Sequence, residues 1–179
     1  MRLLLLRHAK SSWDNVRLSD HDRPLARRGE RAAPAMGAHF AGTDLRVDRI
    51  VSSTAVRAGS TARLFRDAFD RQIPLTSRAE LYHAAVRDLL TIALEECNGD
   101  NGARIMLVGH NPGMHDLARF LCDEGDPDAV SRLRAKFPTA ALAEFDLSIR
   151  AGPEIAPDSG RLIRFVRPKD LPVAKKLAL

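Results

Sequence analysis

Three short apolar segments, each followed directly by polar residues, constrain the fold of this chain more than any other feature. The segments lie at residues 2–6, 48–52 and 104–109. Their length and composition predict buried strands. Segments with the apolar spacing of amphipathic helices separate them, at residues 29–40, 55–69 and 86–97. Strands that alternate with helices predict an α/β fold, a three-layer α/β/α sandwich with a mainly parallel central sheet.

The rest of the chain adds a helix and a hairpin to this pattern. A helix is predicted to begin near Pro112, and alternating apolar and polar residues at 140–149 and 161–166 predict a terminal antiparallel hairpin. Pro34 is expected either to kink the first helix or to lie in its first turn. No repeat or linker divides the chain, so residues 1–179 are predicted to form a single domain. The basic tail from about residue 169 is a candidate for disorder.

Composition is that of a globular protein with its own core. The chain has 179 residues, of which 45% are hydrophobic and 28% are charged. No stretch of 18 residues lacks charge, and the first apolar run ends after four leucines, too short for a secretory signal. We therefore expect a cytoplasmic protein with no membrane partner. Cys97 and Cys122 are too few for a disulfide scaffold or a four-thiolate metal site and are expected to be reduced thiols.

The net charge of +5 indicates an anionic ligand. Nucleic acid is a poor candidate, because the arginines are scattered with acidic residues between them. The chain also has one Trp and one Tyr, which leaves few rings for base stacking. Several arginines that converge on one small anion would account for the charge equally well.

The polar residues after the predicted strands indicate where such an anion would bind. Arg7 and His8 follow the first strand, Arg57 lies shortly after the second, and His110 follows the third. Ligands of parallel sheets bind at the carboxyl ends of the strands, so these side chains are expected to converge. A neutral imidazole is a nucleophile at pH 7, and guanidinium groups match phosphate oxygens. The set favours phosphoryl transfer through a phosphohistidine, with His110 as a cation opposite His8.

Other chemistries lack the spacing that they require. The sequence has no P-loop, no dinucleotide-binding glycine motif and no H-E-x-x-H zinc motif. Asp20 and Asp22 form an Asp-x-Asp pair, but no apolar strand precedes them. His110 and His115 are five residues apart, which does not place them on one helix face, and no third ligand has matching spacing. We therefore expect neither a metal nor a cofactor.

Four motifs, taken together, resemble a known family. They lie at residues 6–10 (Leu-Arg-His-Ala-Lys), 23–29 (Arg-Pro-Leu with Arg28-Gly29), 52–61 (Ser-Ser with Arg57-Ala58 and Thr61) and 108–112 (Val-Gly-His-Asn-Pro). In this order they are similar to the histidine phosphatase (phosphoglycerate-mutase-like) superfamily, and within it to the SixA-type phosphohistidine phosphatases. The resemblance covers about the first two thirds of the chain and implies a phosphoglycerate-mutase-like fold.

The resemblance also implies a role for each matching residue. His8 corresponds to the nucleophile that accepts the phosphoryl group, Arg7 and Arg57 to phosphate ligands, and His110 to the second histidine of the pocket. Arg23 corresponds to a further phosphate contact. The superfamily usually has glycine after the first histidine, where this chain has Ala9. The methyl group is expected to be tolerated unless that backbone requires a positive φ.

The resemblance does not assign the general acid to one residue. Many superfamily phosphatases carry a carboxylate beyond the helix of Arg57, and Glu80 is the acidic residue near that place. Acidic residues of the loop after the first strand are alternatives: Asp14, Asp20 and Asp22. An alkoxide leaving group needs a proton donor, whereas imidazole is a much weaker base. A missing acid would therefore favour phosphohistidine as substrate.

The sequence thus predicts a metal-independent phosphatase that acts through phospho-His8. The preferred substrate is a phosphohistidine-containing protein, with a role in signal transduction. The alternative is a small phosphorylated metabolite, such as a sugar or nucleotide phosphate, which a functional Glu80 would favour. An alternative of another class is a noncatalytic phosphoryl-binding module.

Overall fold

The computed structural model describes residues 1–147 and 156–172, and its centre is a seven-stranded sheet. The strands are β1 (Arg2–Arg7), β2 (Arg49–Ser53), β3 (Leu75–Arg78), β4 (Arg104–Gly109), β5 (Cys122–Gly125), β6 (Leu142–Leu147) and β7 (Gly160–Val166). Their order across the sheet is β3-β2-β4-β1-β6-β7-β5. Because β6 is antiparallel to both of its neighbours and all other pairs are parallel, the remaining six strands point the same way. The predicted mainly parallel sheet is confirmed.

Helices cover both faces of this sheet. They are α1 (Arg27–Ala41), α2 (Val56–Arg66), α3 (Val86–Cys97), α4 (Gly113–Leu121) and α5 (Pro127–Ala135), with short 3₁₀ helices at Ala79–Leu81 and Pro168–Asp170. Successive residues of a strand point to opposite faces. Leu3 and Leu5 accordingly pack in the core under α3, α4 and α5, whereas Leu4 and Leu6 pack in the core under α1 and α2. The result is the predicted three-layer sandwich.

The elements that sequence patterns missed are mostly at the margins of the sheet. Strands β3 and β5 are its two edges, and their mixed or polar sequences, LTSR and CDEG, lack the apolar run of an interior strand. Helix α5 buries only Ala129 and Leu133 among its nine residues, so its apolar periodicity is weak. The predicted hairpin is present as β6 and β7, while residues 148 and 149 of its first strand lie outside the described residues.

The structure also places Pro34 and the start of the basic tail. Pro34 lies in the interior of α1, beyond its first turn. Leu171, near the start of the basic tail, is 5% exposed and packs in the core beside α1. Residues 173–179 of the basic tail are outside the described part. In the two described ranges no helix is both long and apolar enough to cross a membrane.

Candidate active site

The two histidines that follow β1 and β4 meet at the carboxyl edge of the sheet. The strands are neighbours, and the backbone N–H of His8 donates to the carbonyl of Gly109 at 3.0 Å. The ring centroids of His8 and His110 are 5.0 Å apart, with the rings tilted by 50°. Both side chains are buried. The structure therefore brings together two histidines that are far apart in the sequence.

The hydrogen bonding of His8 decides its tautomer. Its Nδ1 lies 2.7 Å from the carbonyl oxygen of Ala9. A carbonyl can only accept, so Nδ1 carries the proton and Nε2 keeps a lone pair. Burial lowers the pKa of His8 to about 4, although the hydrogen bond to Ala9 acts to raise it. The positive charges of Arg57 and Arg7 also lower this pKa. His8 is a neutral imidazole at pH 7, with Nε2 available as a nucleophile.

His110 is held by a serine and surrounded by aromatic rings. Its Nε2 lies 2.8 Å from Oγ of Ser53, at the end of β2. The ring of Tyr82 approaches its edge with centroids 5.3 Å apart, and His83 stacks on it at 5.8 Å. Burial, followed by the neighbouring His8, Arg57 and His83, lowers the pKa of His110 to about 3. His110 is therefore neutral in the free protein, and its expected role as a cation opposite His8 requires its pKa to rise when a phosphoryl group binds.

Arg57 enters the same pocket from the first turn of α2 and is bound to Asp20. Its guanidinium donates to Oδ2 of Asp20 at 2.7 Å and to the backbone carbonyl of the same residue. The hydroxyl of Tyr82 donates to Oδ2 as well, at 2.8 Å. Although partial burial opposes the shift, the hydrogen bonds from Tyr82 and Arg57 lower the pKa of Asp20. Asp20 is thus an ionised, exposed carboxylate at the rim of the pocket.

Arg7 and Arg23 both offer buried donors. Arg7 donates through one terminal nitrogen to the carbonyl of Phe137 at 2.8 Å, and its buried Nε has no partner in the described part of the chain. The guanidinium of Arg23 stacks 3.5 Å from the centre of the Trp13 ring. Two of its buried nitrogens also lack a partner among the described residues, and its charge contributes to the low pKa of Asp20. These donors suit an anion bound between the arginines.

The position after His8 accepts an alanine without strain. Ala9 is buried and has no positive φ. Its backbone N–H donates to Oγ1 of Thr61 at 2.9 Å, and that hydroxyl donates to the carbonyl of Arg57 at 2.7 Å. Thr61 therefore joins the nucleophile loop to the helix that carries Arg57, and the extra methyl group does not disturb this link.

Comparisons with known proteins agree with this geometry. Residues 3–98 match the histidine phosphatase superfamily (branch 1). An uncharacterized protein of Mycobacterium tuberculosis is 37% identical over 142 residues, which are 77% of this chain and 84% of that protein. The chain belongs to the histidine phosphatase superfamily.

Solved structures place this phosphatase beside the SixA proteins. The SixA protein of Agrobacterium tumefaciens is 30% identical, with a TM-score of 0.74 over 93% of this chain and 98% of that one. The protein histidine phosphatase SixA in complex with tungstate has the same fold, with a TM-score of 0.74 at 22% identity over 96% and 99% of the two chains. The SixA-type likeness carried by the four sequence motifs is confirmed.

The acidic candidates of this histidine phosphatase occupy different places. Glu80 is exposed and forms an ion pair with Arg78 at 3.4 Å. A hydrogen bond to its own backbone, together with Arg78, lowers the pKa of Glu80. Asp14 and Asp22 bond to serines of their own loop, at 2.8 and 2.7 Å, whereas Asp20 reaches Arg57. A proton-donor role for Glu80 stays a prediction.

Several residues of the pocket have no clear sequence signal. Tyr82 and His83 contact His110, and nothing in their spacing singles them out. Ser53, which also contacts His110, belongs to the motif at residues 52–61. The sequence does not distinguish Asp20 from the other carboxylates of its loop, whereas the structure shows that it binds Arg57. Within residues 1–147 and 156–172, no group of three or more His, Cys, Asp or Glu side chains is arranged to hold a metal ion. His115 instead bonds to the carbonyl of Leu133 at 2.8 Å.

Proposed function

We propose that this phosphatase hydrolyses phosphohistidine carried by a protein, in two steps, through a phosphoryl group held covalently on His8. The observation that supports it most is the state of His8. Its Nδ1 proton is committed to the Ala9 carbonyl, and its low pKa keeps Nε2 unprotonated. His110 is neutral as well, but its Nε2 is engaged with Oγ of Ser53. The proposed reaction uses neither a metal nor a cofactor.

In the first step, Nε2 of His8 attacks the phosphorus atom of the substrate. A bond forms between Nε2 and phosphorus while the bond between phosphorus and the substrate imidazole breaks. The substrate ring, which carries a proton on its other nitrogen, takes the bonding electron pair and leaves as neutral imidazole. Arg7, Arg23 and Arg57 supply donors for the three equatorial oxygens. Since a bound phosphoryl group adds negative charge beside His110, its pKa rises on binding, and the imidazole becomes able to donate to that charge.

In the second step, water attacks phosphorus on the face that the substrate imidazole has left. The bond to Nε2 breaks, inorganic phosphate leaves, and His8 returns to the neutral state in which its Nδ1 is bonded to Ala9. The water proton is taken up by the phosphate or by His110. The arginine donors keep their positions through both steps, so the pocket needs no reorganisation between them.

The preference for phosphohistidine rests on the ionised state of the carboxylates near the pocket. Hydrogen bonds and guanidinium charges lower the pKa of both Asp20 and Glu80, so both are ionised at neutral pH. An ionised carboxylate cannot donate a proton to a departing alkoxide, but an imidazole, whose basicity is near neutrality, departs without that help. Similarity to the SixA proteins, one of which is a protein histidine phosphatase, supports the same substrate class.

A second candidate is hydrolysis of a small phosphomonoester, because Arg57 holds the carboxylate of Asp20 beside the pocket. The two candidates are separated by Glu80→Gln and Asp20→Asn, each assayed with a phosphohistidine peptide, an alkyl phosphate and an aryl phosphate. For phosphohistidine as substrate, both variants are expected to slow its hydrolysis by less than about tenfold, since little proton donation is needed.

If the protein is a phosphomonoesterase, the same assays are expected to give a different result. A parent protein that hydrolyses the alkyl phosphate faster than the peptide would overturn the phosphohistidine assignment. In that case, loss of about 10²–10⁴-fold in kcat on the alkyl phosphate, with the aryl phosphate spared, would identify the acid as Asp20 or Glu80.

A further inference from the structure

A cavity of about 220 Å³ with a basic lining lies outside the pocket of His8 and His110. The charged side chains that line it are all cationic: Lys10, Arg28, Lys136, Arg167 and Lys169. Arg167 is paired with Asp170. In the described part of the chain the other four form no ion pair, and all four are exposed. We call this the basic cavity.

The strand pairing places the basic cavity on the same edge of the sheet as the candidate active site. Leu142 of β6 is opposite both Leu6, at the end of β1, and Val166, at the end of β7. The segment after β7 is therefore two strand spacings from the segment that carries His8, or about 10 Å. The two sites lie side by side across the ends of β1, β6 and β7.

The two sites also share a wall. Arg7 donates to the carbonyl of Phe137, which lies between Lys136 and Pro138 of the cavity. On the opposite side, the carbonyl of Lys10, two residues after His8, accepts from the N–H of Ala26 at 2.8 Å, just before α1 begins. A ligand that fills the phosphoryl pocket and extends toward β7 would meet the basic cavity.

We propose that the basic cavity binds acidic side chains of the protein that carries the phosphohistidine, beside the phosphoryl group. This inference rests on the proposed function. Four exposed cations on flexible stems suit several carboxylates at varied positions, whereas a site for one small anion uses buried donors, as in the pocket of Arg7 and Arg57. Ala32, Pro138 and Pro168 add apolar surface to the lining, which suits a polypeptide segment.

The test compares two variants with the same change in net charge. In the first, three cavity cations are reversed together: Arg28→Glu, Lys136→Glu and Lys169→Glu. Lys10 is left intact because it is close to His8. The control reverses three exposed arginines elsewhere: Arg46→Glu, Arg119→Glu and Arg161→Glu. Each is assayed with free phosphohistidine and with two phosphohistidine peptides, one flanked by Glu and the other by Gln.

We expect the parent protein to prefer the Glu-flanked peptide by about tenfold in kcat/KM at low salt. The cavity variant should lose this preference while its kcat/KM on free phosphohistidine stays within about twofold of the parent value. The control variant should keep most of the preference. An equal kcat/KM for the two peptides in the parent, or equal losses in both variants, would overturn the proposal.

A binding measurement keeps this inference separate from the proposed function. Fluorescence anisotropy of the unphosphorylated Glu-flanked peptide reports on the cavity whether or not phosphohistidine is hydrolysed. Binding that is lost in the cavity variant alone supports the basic cavity, even if the peptides prove not to be substrates. No binding of this peptide, together with cavity-dependent binding of ADP or of a single-stranded oligonucleotide, would assign the cavity to a different ligand and overturn the inference.

Discussion

The pocket of His8 and the basic cavity both suit anions, yet they are built differently. In the pocket, His8, His110 and Arg57 are buried, and each is held by a hydrogen bond to a named oxygen. In the basic cavity, the cations are exposed and mostly free of partners in the described part of the chain. The pocket therefore suits one phosphoryl group in one position, whereas the cations of the basic cavity can bind anionic groups in several positions.

This difference indicates which site carries chemistry and which carries recognition. Developing charge in a transition state is stabilised by donors that are already in place, and their loss is costly because burial strengthens each interaction. Exposed charges are screened by solvent, and each contributes little. Changes in the pocket should therefore reduce activity by orders of magnitude, whereas changes in the basic cavity should reduce it gradually and for acidic partners only.

The largest difference between the two sites is expected from Arg57→Ala. This change removes a buried guanidinium that faces both the phosphoryl position and Asp20, so kcat/KM on free phosphohistidine should fall by about 10³-fold. Arg63→Ala is the matched control, since Arg63 is exposed on the same helix. Steady-state kinetics of both variants check this. If kcat/KM falls no more for Arg57→Ala than for the control, the buried donors of the pocket do not carry the chemistry.

A smaller effect is expected in the pH dependence of kcat/KM, and it depends on His8 in the pocket and not on the basic cavity. Because the pKa of His8 is lowered to about 4, its nucleophilic neutral form is present above that pH and is lost as the pH falls through it. After correction for substrate ionisation, kcat/KM for an aryl phosphate should fall by less than about twofold between pH 7 and pH 5. An unshifted imidazole would lose about 25-fold over this range. An acid limb near pH 6.5 would show that burial does not control this histidine.

The parts of the pocket that could be predicted from the sequence are those that directly follow interior strands. His8 and His110 come after apolar runs that reveal β1 and β4, and the ends of parallel strands meet at one edge. Arg57 is close behind them, because α2 begins almost directly after β2. For these three residues, their place just after an interior strand predicts that they lie at the carboxyl edge of the sheet.

The remaining parts depend on packing that local patterns do not encode. Tyr82 and His83 follow β3, an edge strand too short and polar to be detected, and Asp20 lies in a loop whose path is set by contacts with Arg57 and Tyr82. The basic cavity was hidden for a similar reason. Its cations come from four separate segments, and the pairing of β6 with β7 brings the last of them to the edge where β1 ends.

Rapid quench with a radiolabelled phosphohistidine peptide tests whether His8 carries the phosphoryl group during turnover. Label should appear on His8 within the first turnover, in a bond that is labile in acid and stable in alkali. His8→Ala should show neither label nor turnover, while Arg28→Glu in the basic cavity should still be labelled. Label on Asp20, Asp22 or a cysteine, or turnover by His8→Ala, would show that His8 does not carry the phosphoryl group.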